Sequence, residues 1–161
     1  MTDPVSAPPP APSPSASTTS FGPGQILAVA GSAGIVISSW LDWIKGVFSQ
    51  PSESAHEGPA KFLIDYTSRP AGLSIGTLLI ILGILGIVGA VLAQARVLAL
   101  VAGAGGIVVG VLFMYQVKSI VDDFGKDSGV SFGDLTGIGA YLAIIGGAVA
   151  LVGGILSLRS T

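Results

Sequence analysis

The sequence predicts an all-α protein: a polytopic membrane four-helix bundle preceded by a disordered, Pro-rich N-terminal tail. Three observations carry that expectation. Half of the 161 residues are hydrophobic and only 10% are charged, whereas an ordinary soluble domain is about 25% charged. Four long apolar stretches recur along the chain, and the only charge within them is Asp42, at the far end of the first. Glycine contributes 24 residues and the mean hydropathy is +0.81; Gly is more frequent in transmembrane helices than in soluble ones. The expected organisation is a tail over residues 1–24 and one transmembrane domain over 25–158. Its spans cover about 25–43, 73–93, 97–117 and 135–158, and polar loops cover 44–72 and 118–134.

The tail, MTDPVSAPPPAPSPSASTTSFGPG, holds a single charge, Asp3. It has too few apolar groups to offset the entropy of ordering, so it is expected to be disordered with polyproline II character. It reads either as a ligand for a proline-recognising partner or as a passive tail. The absence of a basic residue beside the prolines favours the passive tail. With no Lys or Arg in residues 1–24, the positive region of a signal peptide is missing, and the first span is expected to be retained.

The first span, QILAVAGSAGIVISSWLDW, measures about 28 Å as a helix, close to the hydrocarbon thickness of a bilayer. Trp40 and Trp43 bracket Asp42 at its far end. Indoles favour the headgroup level, so both are expected to anchor at the membrane interface. The alternative for the pair is an aromatic binding patch. Within the following loop, Pro59 suits the first turn of a short helix, PAKFLIDYTS, with Phe62, Ile64 and Tyr66 free to lie on the membrane. His56 is the only histidine, set between Ala55 and Glu57. It reads as a solvated loop residue, with pH sensing as the alternative.

Spans two and three, LSIGTLLIILGILGIVGAVLA and VLALVAGAGGIVVGVLFMYQV, are separated only by Gln94, Ala95 and Arg96. So short a link makes them an antiparallel helical hairpin. Tyr115 is expected at the interface at the far end of span three. The next loop gathers Asp122, Asp123, Asp127 and Asp134. Hard cations take several oxygen ligands, but the spacing departs from a Ca²⁺-loop pattern, and Lys118 and Lys126 are interleaved. A solvated acidic loop is the reading, and no metal is assigned. Span four, LTGIGAYLAIIGGAVALVGGILSL, is followed by Arg159.

In lipid, helices associate by close packing, and small residues at i and i+4 let backbones approach. Each span carries such a stripe: Ala30, Gly34 and Ser38 in the first, Gly86 and Ala90 in the second, Ala102, Gly106 and Gly110 in the third. The fourth carries two, Gly139, Ala143 and Gly147, and then Gly146, Ala150 and Gly154. Either all of these stripes pack the monomer or one of them, on the fourth span, faces a partner chain.

Several function classes lack their residues. A net charge of -2 offers no basic surface for nucleic acid. Without cysteine there is no disulfide framework, thiolate site or thiol nucleophile. Transporters and proton pumps keep an ionisable group within the membrane, and these spans hold none in their interior. Haem ligands are wanting, since the methionines are Met1 and Met114 and the histidine lies in a loop. Ser32, Ser38 and Ser39 have no His or Lys beside them and suit hydrogen bonding to helix carbonyls. Accordingly no catalytic residue and no cofactor is assigned.

The Pro-rich tail, the SSWLDW motif closing the first span, and GIGAYLAIIG over Gly137–Gly146 together resemble the small, mostly uncharacterised four-span membrane proteins of actinobacteria. The resemblance implies a plasma-membrane location with both termini cytoplasmic, and implies no activity. Cytoplasmic loops ordinarily carry the excess Lys and Arg. A count alone favours the reverse orientation: Arg96 and Arg159 stand on one side, and Lys45, Lys61, Arg69, Lys118 and Lys126 on the other. The expected role is a non-enzymatic accessory or scaffold protein, in contact with the lipid bilayer and with another membrane protein or a second copy of itself. The alternative is a small oligomeric transporter or channel.

Overall fold

The structure is a computed structural model that describes residues 21–46, 51–65, 72–92, 96–125 and 129–159. The expected tail lies outside the described residues apart from Phe21, Gly22, Pro23 and Gly24, as do Tyr66, Arg69, Gln94, Ala95, Lys126 and Asp127. The chain is mostly helical, in keeping with an all-α class. In order come α1 (Pro23–Ser38), β1 (Asp42–Ile44), β2 (Glu53–Ser54), a 3₁₀ turn (Ala60–Leu63), α2 (Ile75–Val91), α3 (Arg96–Ile120), α4 (Phe132–Leu135) and α5 (Ile138–Arg159). A single π-helical turn, Val121–Gly125, continues α3.

Pro23 at the first turn suits the start of α1, because its missing N–H would have had no helical partner. The Gln25 side chain accepts the Gly22 N–H at 3.0 Å and donates to the Ala90 carbonyl at the end of α2 at 3.1 Å. One side chain thus caps its own helix and ties down the next. At α2, Ser74 Oγ accepts the Thr77 N–H at 3.1 Å as an N-cap.

The four long helices form a ring in which α1 packs on α2, α2 on α3, α3 on α5 and α5 back on α1. Two of them, α3 with its π turn and α5, are long and apolar enough to cross a membrane; α1 and α2 are apolar helices of 16 and 17 residues. The start of α1, the end of α2, the start of α3 and the end of α5 lie at one end of the ring. At the other end β1, β2, the 3₁₀ turn and α4 fold into a polar cap.

The first helix stops five residues short of its expected end, Trp43. Ser38 and Ser39 donate their hydroxyls to Ile35 and Val36 carbonyls at 2.6 and 2.7 Å, a local alternative to the helical ladder. The chain then turns and enters β1. Of the expected helix PAKFLIDYTS, the described residues up to Asp65 form only the 3₁₀ turn Ala60–Leu63, and Tyr66, Thr67 and Ser68 lie outside the described residues. The fourth span breaks at Thr136 and Gly137, which leave the helix to pair with β1: Gly137 N–H donates to the Trp43 carbonyl at 2.7 Å, and Lys45 N–H to Leu135 at 2.9 Å.

Candidate functional site

Side chains in this bundle are distributed by size. The buried faces are built mostly from Gly, Ala and Ser, with Ile35, Ile75, Leu79, Val109, Phe113 and Val117 among them, whereas Ile26, Ile37, Ile84, Val101, Val108, Ile145 and Val152 are exposed on the outside. Helix axes approach until backbone meets backbone. A Cβ on Gly31 would fall on the Ala150 backbone nitrogen, and one on Gly147 would lie 2.7 Å from the Gly103 carbonyl oxygen.

Of the small residues expected to pack helices, Gly86, Ala90, Ala102, Gly106, Gly110, Gly139, Ala143, Gly147 and Gly154 are buried. Gly146 and Ala150 face α1, while Gly147 and Gly154 face α3. Both stripes of the fourth span are therefore used within the monomer, and neither is left over for a partner. The first span differs. Ala30 is exposed and Gly34 only half-buried; the face that meets α5 is Gly24, Ala28, Gly31 and Ile35. The expected stripe sits about one residue off that face. Gly24-x-x-x-Ala28 carries the same i, i+4 spacing and Gly31 follows three residues on; on α5, Gly153, whose Cβ would fall on the Ala28 nitrogen, packs against this face.

Ala30 lines an apolar groove of about 330 Å³ with Phe21, Ile26, Val29 and Val91. On the other flank of α1, Leu27, Ala148, Val149 and Val152 border a second of about 220 Å³.

The cap is sealed by Trp43. It is not an exposed membrane anchor, as expected from sequence: it is 1% exposed, with its indole N–H donated to the Ser38 carbonyl at 2.7 Å and its ring edge-on to Phe113 at 4.8 Å. The turn after Ser39 swings it inward over Gly139, where any side chain would collide with the indole. Phe62 also turns inward, 5.6 Å from the Phe113 ring, while Ile64 is exposed. Trp40 and Tyr115 keep surface positions at 60% and 64% exposure. Trp40 tilts over His56, 5.5 Å between ring centres, and His56 in turn covers Gly76.

Backbone bonds bolt the cap to α2. Gly58 and Ala55 carbonyls accept the Ile75 and Gly76 N–H groups at 2.9 and 2.8 Å, satisfying donors that a helix start leaves open. Gln116, buried on α3, donates to the Leu63 carbonyl at 3.2 Å. At the opposite end, Arg96 Nη1 donates to Ser157 at 2.7 Å and links the start of α3 to the end of α5.

Among the acids of the second loop, Asp122 pairs with Lys118 at 2.7 Å and Asp134 accepts both the N–H and the hydroxyl of Ser131, at 2.9 and 2.6 Å. The Ser131 bonds hold the Asp134 carboxyl below its ordinary range. Among the described residues no His, Cys, Asp or Glu group is placed to hold a metal ion. Among the described residues the buried polar side chains are Ser32, Ser38, Ser39, Gln116, Thr136 and Ser157, none of them ionisable. Compared with protein-family models, curated proteins and solved structures, the chain matches none.

Proposed function

We propose that this chain is an integral membrane protein of the bacterial plasma membrane, that all four long helices cross the bilayer, and that both termini are cytoplasmic. In this reading it is a non-enzymatic accessory or scaffold subunit. One observation carries the membrane placement: most of the large aliphatic side chains lie outside, while Gly, Ala and Ser make up most of the buried helix faces. In water that arrangement would forfeit the main driving force of folding. In lipid it costs little, and close backbone contact becomes the source of cohesion. At about 24 and 26 Å, α1 and α2 fall short of a 30 Å core. The exposed apolar residues Phe21, Trp40 and Leu92 at their ends extend the apolar band.

The association role rests on the outer face of α1. Exposed Ala30 gives α1 a small-residue surface that the monomer leaves uncovered, with Gly34 at its edge toward α5 and an apolar groove on either flank. A second helix laid there would meet only the Ala30 methyl between the two grooves. A transport path through a single bundle finds no room between the packed backbones, so the alternative, an oligomeric transporter or channel, needs its path between copies.

Three measurements test this reading. The chain should stay in the membrane pellet after alkaline carbonate extraction; release would end the membrane assignment. In intact cells, Gly133→Cys should react with an impermeant thiol reagent and Leu92→Cys should not; the opposite pattern would reverse the orientation. Crosslinking in native membranes should give a stoichiometric partner or a dimer that Ala30→Leu abolishes, and a bare monomer in both would remove the scaffold role.

A further inference from the structure

Near the cap, the outer face of α3 carries a trough of about 550 Å³ lined by Val111, Met114, Tyr115, Lys118, Val121, Asp122 and Phe132. Its volume falls within the roughly 300–1,000 Å³ of pockets that hold small molecules. Val111, Met114, Val121 and Phe132 make an apolar wall. Lys118 and Asp122, one helical turn apart, stand at the water-facing end as an ion pair of 2.7 Å whose side chains are 66% and 52% exposed. Tyr115 is exposed beside them, an amphipathic ring of the kind that favours the headgroup level.

We propose that this trough seats one phosphatidylethanolamine molecule, with its phosphate on Lys118, its ammonium on Asp122 and an acyl chain along Val111, Met114 and Phe132. The inference rests on the membrane reading above. Charge complementarity selects the occupant. An anionic headgroup would satisfy Lys118 and meet repulsion from Asp122; a cationic amphiphile would do the reverse. Phosphoethanolamine places an anion and a hydrogen-bonding cation two carbons apart and answers both. Phosphatidylcholine has the same net charge, but its methylated nitrogen has no N–H to give a carboxylate. Neither side chain need release the other, since an ammonium has three donors and a carboxylate about four acceptor sites.

The test uses the full chain. Wild type and variants are first checked for carbonate-resistant membrane retention. They are then purified in mild detergent and titrated with phosphatidylethanolamine, phosphatidylcholine or phosphatidylglycerol under native mass spectrometry. Release of wild type by carbonate overturns the membrane reading and this inference together. Retention followed by equal binding of the three lipids overturns only the inference. The expected result is preferential binding of phosphatidylethanolamine. Contacts of single exposed charges are individually weak, so Lys118→Gln should lower its occupancy about two- to fivefold. Asp122→Asn should remove the preference over phosphatidylglycerol, and Val111→Trp should fill the trough and displace the lipid without changing charge. A preference for phosphatidylglycerol, or a phosphatidylethanolamine preference that survives all three substitutions, would overturn the assignment.

Discussion

The Trp43 indole N–H reaches back 2.7 Å to the carbonyl of Ser38, the last residue of α1. That one bond joins the end of the first helix to the first strand of the cap. The carbonyl that accepts it is among those a helix leaves open at its C-terminus. The same ring fills the space above Gly139 and meets Phe113 edge-on, so a single side chain connects α1, α3, α5 and the cap.

Removing the ring should therefore cost more than any other single truncation in the cap. Trp43→Ala is expected to destabilise by about 3–5 kcal/mol. Trp43→Phe keeps most of the packing but removes one of the two hydrogen bonds on the Ser38 carbonyl, which retains the Leu41 N–H at 3.3 Å, a loss of about 0.5–1.5 kcal/mol. Trp40→Phe, on the surface, should change stability by no more than about 0.5 kcal/mol. Thermal melts followed by circular dichroism in mild detergent will rank the three.

Gly31 and Gly34 offer a matched pair on one helix. A methyl group on Gly31 would meet the Ala150 backbone, while one on Gly34 finds only the Gly146 Cα, at 3.4 Å. Gly31→Ala should force α1 and α5 apart and cost about 1–3 kcal/mol. Gly34→Ala should be near neutral. The same melts, with crosslinking between α1 and α5 as a check on separation, will tell them apart.

Ser32 lies fully buried, and among the described residues its hydroxyl has no hydrogen-bond partner. Ser32→Ala should be neutral or stabilising by up to about 1 kcal/mol, because an unpaired buried hydroxyl opposes folding. Gly86→Ala should destabilise, since its methyl would meet both Ser32 Oγ and the Ala102 Cβ. In the double variant the collision with Oγ disappears, while the tight contacts with the residue-32 Cβ at 3.0 Å and the Ala102 Cβ at 2.9 Å remain. The two changes should therefore couple favourably by about 0.5 kcal/mol or more in a mutant cycle.

The Ser131–Asp134 box should make the start of α4 sensitive to acid. Ser131 hydrogen bonds depress the Asp134 pKa. Its contribution is thus complete above the unfolded-chain value, about 3.9, and is lost as pH falls through the lower folded value. Amide exchange at Gly133 and Asp134 should accelerate over that acidic window, beyond the intrinsic pH effect, in wild type. Asp134→Asn should show the faster exchange throughout, without the pH step.

How much of this was legible beforehand follows from what each signal measures. Apolar runs located all four long helices, because a run of aliphatics is visible whatever it packs against. Small-residue spacing identified the buried faces of α2, α3 and α5, where one dominant stripe points inward. It misplaced α1, because QILAVAGSAGIVIS presents small residues on more than one face, and only the neighbouring helix decides between Ala30 and Gly31. The inward turn of Trp43 was hidden for a related reason. Its position beside Trp40 and Asp42 suits a surface anchor equally well, and the choice depends on Gly139 and Phe113, distant in sequence. The cap's short strands escaped notice because their pairing runs through backbone atoms, which leave no mark on composition.

A bundle held at backbone distance inverts the usual map of mutational harm. In a core of large aliphatics, damage comes from lost volume. Away from Trp43 and Phe113, the closest helix contacts are already made by the smallest residues, and injury there comes from added atoms: a single methyl at Gly31, Gly103, Gly147 or Gly153 is an obstruction. Codons for glycine reach alanine, valine, serine or arginine by one base change, and each of these is larger. Random variation should accordingly spare the bulky outer residues and be purged from the smallest ones, leaving a record of tolerance that reads as the negative of a soluble helical protein.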